Sequence, residues 1–341
     1  MPPRSRPLRA ADVGEFPLID RLLARVPALR PDVLVGAGDD VAVVSVSPEE
    51  CLLVTCDVQV AGSHFRPDAT DPSRLGRKAA AINLSDIAAT GGRPAHFLVS
   101  LIVPPETEVG FLEAVYEGLA KEAARWGADV IGGNVSRGSC LAIDLTLLGT
   151  ARPDRLLRRA GARPGDLILV TGRLGAAAAG LHLALHPGTA VDEGIRTSVL
   201  AAFETPVPRL DEAAALVAAQ GVTAMIDISD GLAADLGHLC DAGGLGVRVH
   251  ASAVPVDDAT AAVAAAARVD PLRWALGGGE DYELLFTAPA HEAEVLADAV
   301  LAATGTPVSV VGEMVAPSRG RRLVLGSGRE AELTREGWRH F

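Results

Sequence analysis

Acidic residues in this chain gather into short, glycine-bracketed clusters far apart in sequence: Gly38-Asp39-Asp40, Thr55-Cys56-Asp57, Asn83-Leu84-Ser85-Asp86, Asp227-Ile228-Ser229-Asp230-Gly231 and Gly278-Gly279-Glu280-Asp281. Each sits where an apolar run meets a tight turn, not on a charged helix face. A fold that accommodates them fixes carboxylates on the ends of rigid elements. Carboxylates so placed can hold several Mg²⁺ ions against a polyphosphate, because Mg²⁺ prefers oxygen ligands and keeps most of its waters. The pattern points to phosphate-transfer chemistry on a nucleotide.

At 341 residues the chain exceeds the size at which one core keeps growing, so two domains are expected. The net charge of −12 argues against a nucleic-acid-binding surface, which needs clustered cations. A nucleotide complexed with magnesium can still dock, since the metal brings the positive charge. Lys78 and Lys121 are the two lysines; the other basic side chains are arginines and histidines. Cys51, Cys56, Cys140 and Cys240 show neither C-x-x-C pairing nor zinc spacing and read as free thiols of a reducing compartment. No apolar run approaches the roughly 20 residues of a membrane span. Met1 to Arg9 lacks the apolar stretch of a secretory signal, so a soluble, cytoplasmic enzyme is expected.

Along residues 1–150 the pattern predicts an α+β unit with its helices on one face of a sheet. Val41 to Val46 and Cys51 to Val60 read as strands, followed by a helix opening at Asp71-Pro72 and stopping at Gly91-Gly92. Phe97 to Val103, Asp129 to Ile131 and Leu141 to Leu148 are further strands, with a helix from Val109 to Trp126. A stretch rich in Arg, Pro and Gly, Arg152 to Gly165, separates this unit from residues 151–341, where strands and helices mix as an α/β domain ending in a helix from Ala290 to Thr304.

Each cluster has a plain structural reading beside the functional one. Asp39 and Asp40 could cap a turn, yet two adjacent carboxylates repel unless a cation screens them. Asp86 falls near a helix C-terminus, where the dipole disfavours a carboxylate by roughly 0.3–1 kcal/mol. Lys78, two turns earlier, could pair with it, or a bound Mg²⁺ could. Ser229 or Asp230 could simply cap the helix that follows; alternatively its free N–H groups suit a phosphate, leaving Asp227 for a metal. Gly277-Gly278-Gly279 lets backbone approach a ligand, and the acids after it could bind metal or a cationic substrate. His64, taken alone, reads equally as a structural residue. A P-loop, the protein-kinase motifs and a G-x-S-x-G nucleophile are all missing.

In order along the chain, Gly38-Asp39-Asp40, Asp57 through Ala61-Gly62-Ser63-His64-Phe65, Lys78 through Asn83-Leu84-Ser85-Asp86, Ile131-Gly132-Gly133-Asn134, Ile226 through Asp235-Leu236-Gly237-His238 and Gly278 through Leu284 resemble the thiamine-monophosphate kinases, relatives of aminoimidazole-ribonucleotide synthase. The resemblance covers nearly the whole chain. It implies an N-terminal domain whose sheet pairs with its twin's across a homodimer, a C-terminal α/β domain, and ATP with several Mg²⁺ ions between them. The implied reaction moves the γ-phosphoryl group of ATP onto thiamine monophosphate, giving thiamine diphosphate and ADP. By the same resemblance Asp40, Thr55, Cys56, Asp57, Asp86, Asn134, Asp227 and Asp230 stand at metal positions. Gly133, Arg159 and Ser229 would contact ATP, and His64, Glu280 and Trp338 would face thiamine monophosphate. No protein nucleophile is implied.

Two residues depart from the family pattern. Asn134 stands where a metal-binding carboxylate is usual, and Cys56 where threonine is common. Both departures fall at one implied metal, so an alternative reading is a nucleotide-binding relative with another acceptor or with lost turnover. Selenophosphate synthesis is disfavoured, since no cysteine precedes Cys51.

Overall fold

The period-two pattern at Cys51 folds as a strand whose Cys51, Leu53 and Thr55 are buried while Cys56 and Val58 are exposed. In this computed structural model, which describes residues 8–334 and 337, that strand lies inside a six-stranded sheet. Its members are β1 (Val33–Val35), β2 (Ala42–Ser45), β3 (Cys51–Val60), β4 (Arg93–Val103), β5 (Asp129–Arg137) and β6 (Ala142–Ala151), in the order β1-β2-β3-β6-β4-β5. Neighbours run antiparallel except β4 and β5, whose parallel pairing requires a crossover. Short helices α1 (Ala10–Val13) and α2 (Glu15–Leu23) precede the sheet; α3 (Pro72–Ala89) and α4 (Val109–Arg125) pack together, and α4 makes the crossover.

Helix α3 begins as its sequence directs: Asp71 caps the N–H of Arg74 at 2.9 Å and Pro72 takes the first helical position. It is then buried nearly all round, Leu84 and Ile87 being fully inside. The reason is its position. One apolar cluster runs from Leu53 and Phe97 of the first sheet through Leu84 and Ile87 to Phe286 and Leu296 of the second half. Helix α3 is therefore a wall shared by both halves, and side chains near its C-terminal end can meet groups from each.

The second sheet contains β7 (Leu167–Thr171), β8 (Ala224–Asp227), β9 (Gly246–His250), β10 (Leu284–Ala288), β11 (Val308–Val315), β12 (Arg321–Val324) and β13 (Glu330–Glu332), ordered β13-β12-β9-β11-β7-β10-β8. Helices α5 (Ala176–Leu185), α6 (Glu193–Glu204), α7 (Leu210–Ala219), α8 (Leu232–Gly243), α9 (Asp258–Ala267), α10 (Pro271–Gly277) and α11 (Ala293–Thr304) surround it. The mixed α/β class agrees with the sequence pattern, but the second half is richer than expected. Helix α11 does not end the fold: β11, β12 and β13 follow it, and α6, α7, α9 and α10 are separate helices. Among the described residues no helix is long and apolar enough to cross a membrane.

Candidate active site

The register of the first sheet decides which acids can meet. Thr55 and Asp57 point toward α3, and Thr55 Oγ1 donates to Asp86 Oδ2 at 2.5 Å. One residue earlier on the helix, Ser85 Oγ donates to Asp227 Oδ2, at the end of β8, at 2.6 Å. Asp40, entering β2, completes the group: carboxylate oxygens of Asp40, Asp86 and Asp227 all lie within 4.8 Å of one another. Asp57 shares a hydrogen bond with Asp86. Acids from both halves of the chain thus converge on one point beside α3.

This arrangement is costly without a cation. At 4.8 Å two carboxylates repel by about 3 kcal/mol at the effective dielectric of protein sites. Arg159 answers Asp40, with Nη2 2.5 Å and Nε 3.1 Å from Oδ1, but Asp86 and Asp227 are held by hydroxyls. Burial raises Asp40 to about 7, where the neighbouring Asp227 adds to the rise and Arg159 opposes it. Burial likewise raises Asp227 to about 6 against the bond from Ser85, and lifts Asp86 well above the usual range with help from Asp57, Asp227 and Asp40. Oδ2 of Asp40 and Oδ2 of Asp57 are buried with no hydrogen-bond partner. Oxygen donors only, several of them charged and two of them orphaned, suit a hard divalent cation such as Mg²⁺.

The sequence offered simpler roles that the geometry rejects. Lys78 does not pair with Asp86: eight helical residues span about 12 Å, and its ammonium instead lies 2.8 Å from Glu280 Oε1. Neither Ser229 nor Asp230 caps α8. Gly231 is its N-cap at φ +113°, and Asp235, from inside the helix, accepts the N–H groups of Asp230 and Gly231 at 3.1 and 3.0 Å. Ser229 and Asp230 are thereby left half-buried at the helix mouth, where Asp230, Asp235 and His238 form a second group within 4.8 Å.

The loop after the glycines divides its acids. Asp281 accepts from the N–H of Gly175 at 2.8 Å, at the start of α5, and so is engaged by backbone there. Glu283 pairs with Arg209 at 2.5 Å and accepts from Thr171 at 2.6 Å. Glu280 alone of these three reaches the Lys78 side. Its backbone is left-handed, φ +60°, and is pinned by its N–H to Ser229 O at 2.7 Å. Sequence reasoning missed Arg209 and Ser85 as donors, which their acids signal since a buried carboxylate needs a donor, and Asp235 as the acceptor at the mouth of α8.

Other expected residues lie elsewhere. Cys56 and Asn134 are on the outer sheet face, away from α3, and are exposed. Along β3-β6-β4-β5 they are three strand steps apart, about 14 Å. One chain therefore does not bring Asn134, or its neighbour Gly133, to Asp57. Gly133 also has a packing reason to be glycine, as a Cβ there would sit 1.8 Å from Val99 O. His64 closes the turn after β3, its Nδ1 accepting from Val60 N at 2.9 Å, about 10 Å of strand beyond Asp57. Trp338 lies outside the described residues. Gly337 before it is described and packs on Asp230, where a Cβ would come within 2.8 Å of the carbonyl oxygen.

Residues 38–151 match the N-terminal domain, and residues 163–324 the C-terminal domain, of AIR synthase related protein. Two domains sharing a helix that gathers acids from both define a protein of that class. Thiamine-monophosphate kinase of Salmonella typhimurium is 39% identical over 331 residues, covering 96% of this chain and 98% of the relative. The solved structure of thiamine-monophosphate kinase from Stenotrophomonas maltophilia is 35% identical with a TM-score of 0.74, covering 93% and 98% of the two chains. A structure described as AaThiL complexed with AMPPCP and TMP superposes with a TM-score of 0.85 at 30% identity, covering 99% and 100%. The chain belongs to the thiamine-monophosphate kinase family.

Proposed function

We infer that this chain transfers the γ-phosphoryl group of ATP directly to the phosphate of thiamine monophosphate, forming thiamine diphosphate and ADP. The observation that carries the reading is the convergence of Asp40, Asp86 and Asp227 with too little positive charge among them. When bound there, Mg²⁺ supplies the charge that lets two polyanions approach. Asp40, Asp57, Asp86 and Asp227 would hold it, with Thr55 and Ser85 orienting Asp86 and Asp227 through their hydroxyls. Ser229, at the mouth of α8, offers a hydroxyl and the positive end of a helix to the phosphates, and Asp230 beside it would hold a metal ion that they carry. Arg159, its side chain 19% exposed beside Asp40, suits the nucleotide end. Glu280 and the segment carrying Trp338 are assigned to the acceptor's cationic ring. The acceptor phosphate is already an oxyanion, so the chain needs no general base.

A homodimer belongs to the same reading. Residues 1–150 carry most of the metal acids and an outer sheet face with Val58, Leu98 and Ile102 38–45% exposed, while residues 151–341 carry Asp227, Ser229 and Glu280. A second copy seated on that face would cover it, and would offer Gly133 and Asn134 to a site that their own chain holds at a distance. A cytoplasmic setting suits four cysteines, none of them in a disulfide. The reading is tested by incubating the protein with ATP, Mg²⁺ and thiamine monophosphate and identifying products by chromatography. Thiamine diphosphate with equimolar ADP is expected; ADP alone would leave another acceptor or plain ATP hydrolysis.

A further inference from the structure

Lys78 is one of the two lysines of the chain, and it is buried in the wall between the halves with its side chain 7% exposed. Its ammonium is 2.8 Å from Glu280 Oε1 and 4.0 Å from the centroid of the Phe203 ring, on α6. A carboxylate beside an aromatic face is a seat for a cation, and flat or quaternary organic cations fit such seats especially well. Here the protein's own cation fills it. The Glu280 side chain is 30% exposed, so the seat opens outward on the carboxylate side. Lys78 and Asp86 lie on one helix, about 12 Å apart along its axis, so a single ligand can span from the seat to the acids.

We propose that Lys78 is a placeholder for the acceptor's cationic ring: the ring displaces its ammonium from Glu280 and Phe203, and the freed ammonium turns to the acceptor's phosphate. The proposal rests on the kinase reading above. Two cations cannot share one carboxylate seat without repelling, so arrival of the ring pushes the lysine off. Its four-carbon stem lets the point charge swing to a new anion, which a rigid guanidinium does less readily. A ligand with ring and phosphate repays the displacement, whereas the ring alone does not. Lys78 is thus a positioning residue that makes the site prefer the phosphorylated compound over thiamine itself.

Calorimetry with thiamine and with thiamine monophosphate, on the full chain with Mg²⁺ present, tests this, alongside kcat and KM. In Lys78→Met, which keeps the contact with Phe203, thiamine affinity rises several-fold. The affinity for thiamine monophosphate falls about tenfold, the weight of a lost charge-assisted bond, with a matching rise in KM. Lys78→Arg keeps a cation in the seat and gives thiamine no gain. Phe203→Leu removes a wall of the seat and weakens thiamine. If Lys78→Met moves both ligands in the same direction, or neither, Lys78 is a structural ion-pair member and the proposal fails. Unchanged thiamine affinity in Phe203→Leu overturns it as well, even should Lys78→Met not fold. A wild-type chain that binds neither compound would sink the kinase reading itself, which is a separate result.

Discussion

Among the clustered acids, Asp86 has surroundings that oppose its charge: burial, then Asp57, Asp227 and Asp40, all raise its pKa, and the Thr55 hydroxyl works against them. Such a residue contributes little to a metal-free fold. Asp86→Asn or Asp227→Asn should therefore leave the melting temperature unchanged or higher, while turnover falls roughly 10³-fold as the metal's several kcal/mol are lost. A variant that melts far below wild type yet keeps its turnover would make the residue structural. The same repulsion sets a pH dependence. Asp40 and Asp227 rise from 3.8 to about 7 and about 6, so the metal-free native chain keeps protons that the unfolded chain has released. Their contribution to stability is complete below pH 3.8 and is lost as pH rises through 6 to 7. Mg²⁺ competes with those protons, so its affinity should increase from pH 6 to pH 8 and binding should release protons. Calorimetry in buffers of different ionisation enthalpy measures that release; its absence would place the metal elsewhere.

Elements were legible where their signals are local. Asp71-Pro72 and the positive-φ Gly91 mark both ends of α3, and the alternation from Cys51 marks β3. Helices such as α7 and α9 were less so, because alanine presents neither an apolar nor a polar face. Of the strands after α11, β12 and β13 were hidden for another reason: they are too short to show a period. At the site, sequence located the acids but not their partners, since Thr55 meets Asp86 and Ser85 meets Asp227 through sheet register and domain packing. The glycines of α3 and α4 show the same limit. A Cβ on Gly76 would lie 1.9 Å from Val115 O, and one on Gly118 would lie 1.9 Å from Ser73 O, so the two helices touch backbone to backbone. Gly76→Ala should cost about 1–3 kcal/mol or more in urea unfolding and displace α3 with its acids. Gly110→Ala, which meets open space on α4, should gain about 0.5–1 kcal/mol. Equal effects at the two positions would mean the helices can separate freely.

At the scale of the molecule, α3 joins the two halves, and the outer sheet face is the one proposed to seat a second copy. Ile102 is 45% exposed on that face. Ile102→Arg should yield a monomer by size-exclusion chromatography with light scattering, and lose turnover with little change in melting temperature. A variant that remains dimeric and active would place the subunit contact elsewhere. The central claim is that acids from both halves serve direct transfer between two phosphates, and one measurement reaches it most directly. The protein is incubated with Mg²⁺, thiamine monophosphate and ATP carrying labelled γ-phosphate, and the label is located. The account predicts label in the terminal phosphate of thiamine diphosphate, transferred without dilution by added unlabelled inorganic phosphate, and almost none with Asp86→Asn. Label recovered only as inorganic phosphate, or undiminished transfer by Asp86→Asn, would contradict it.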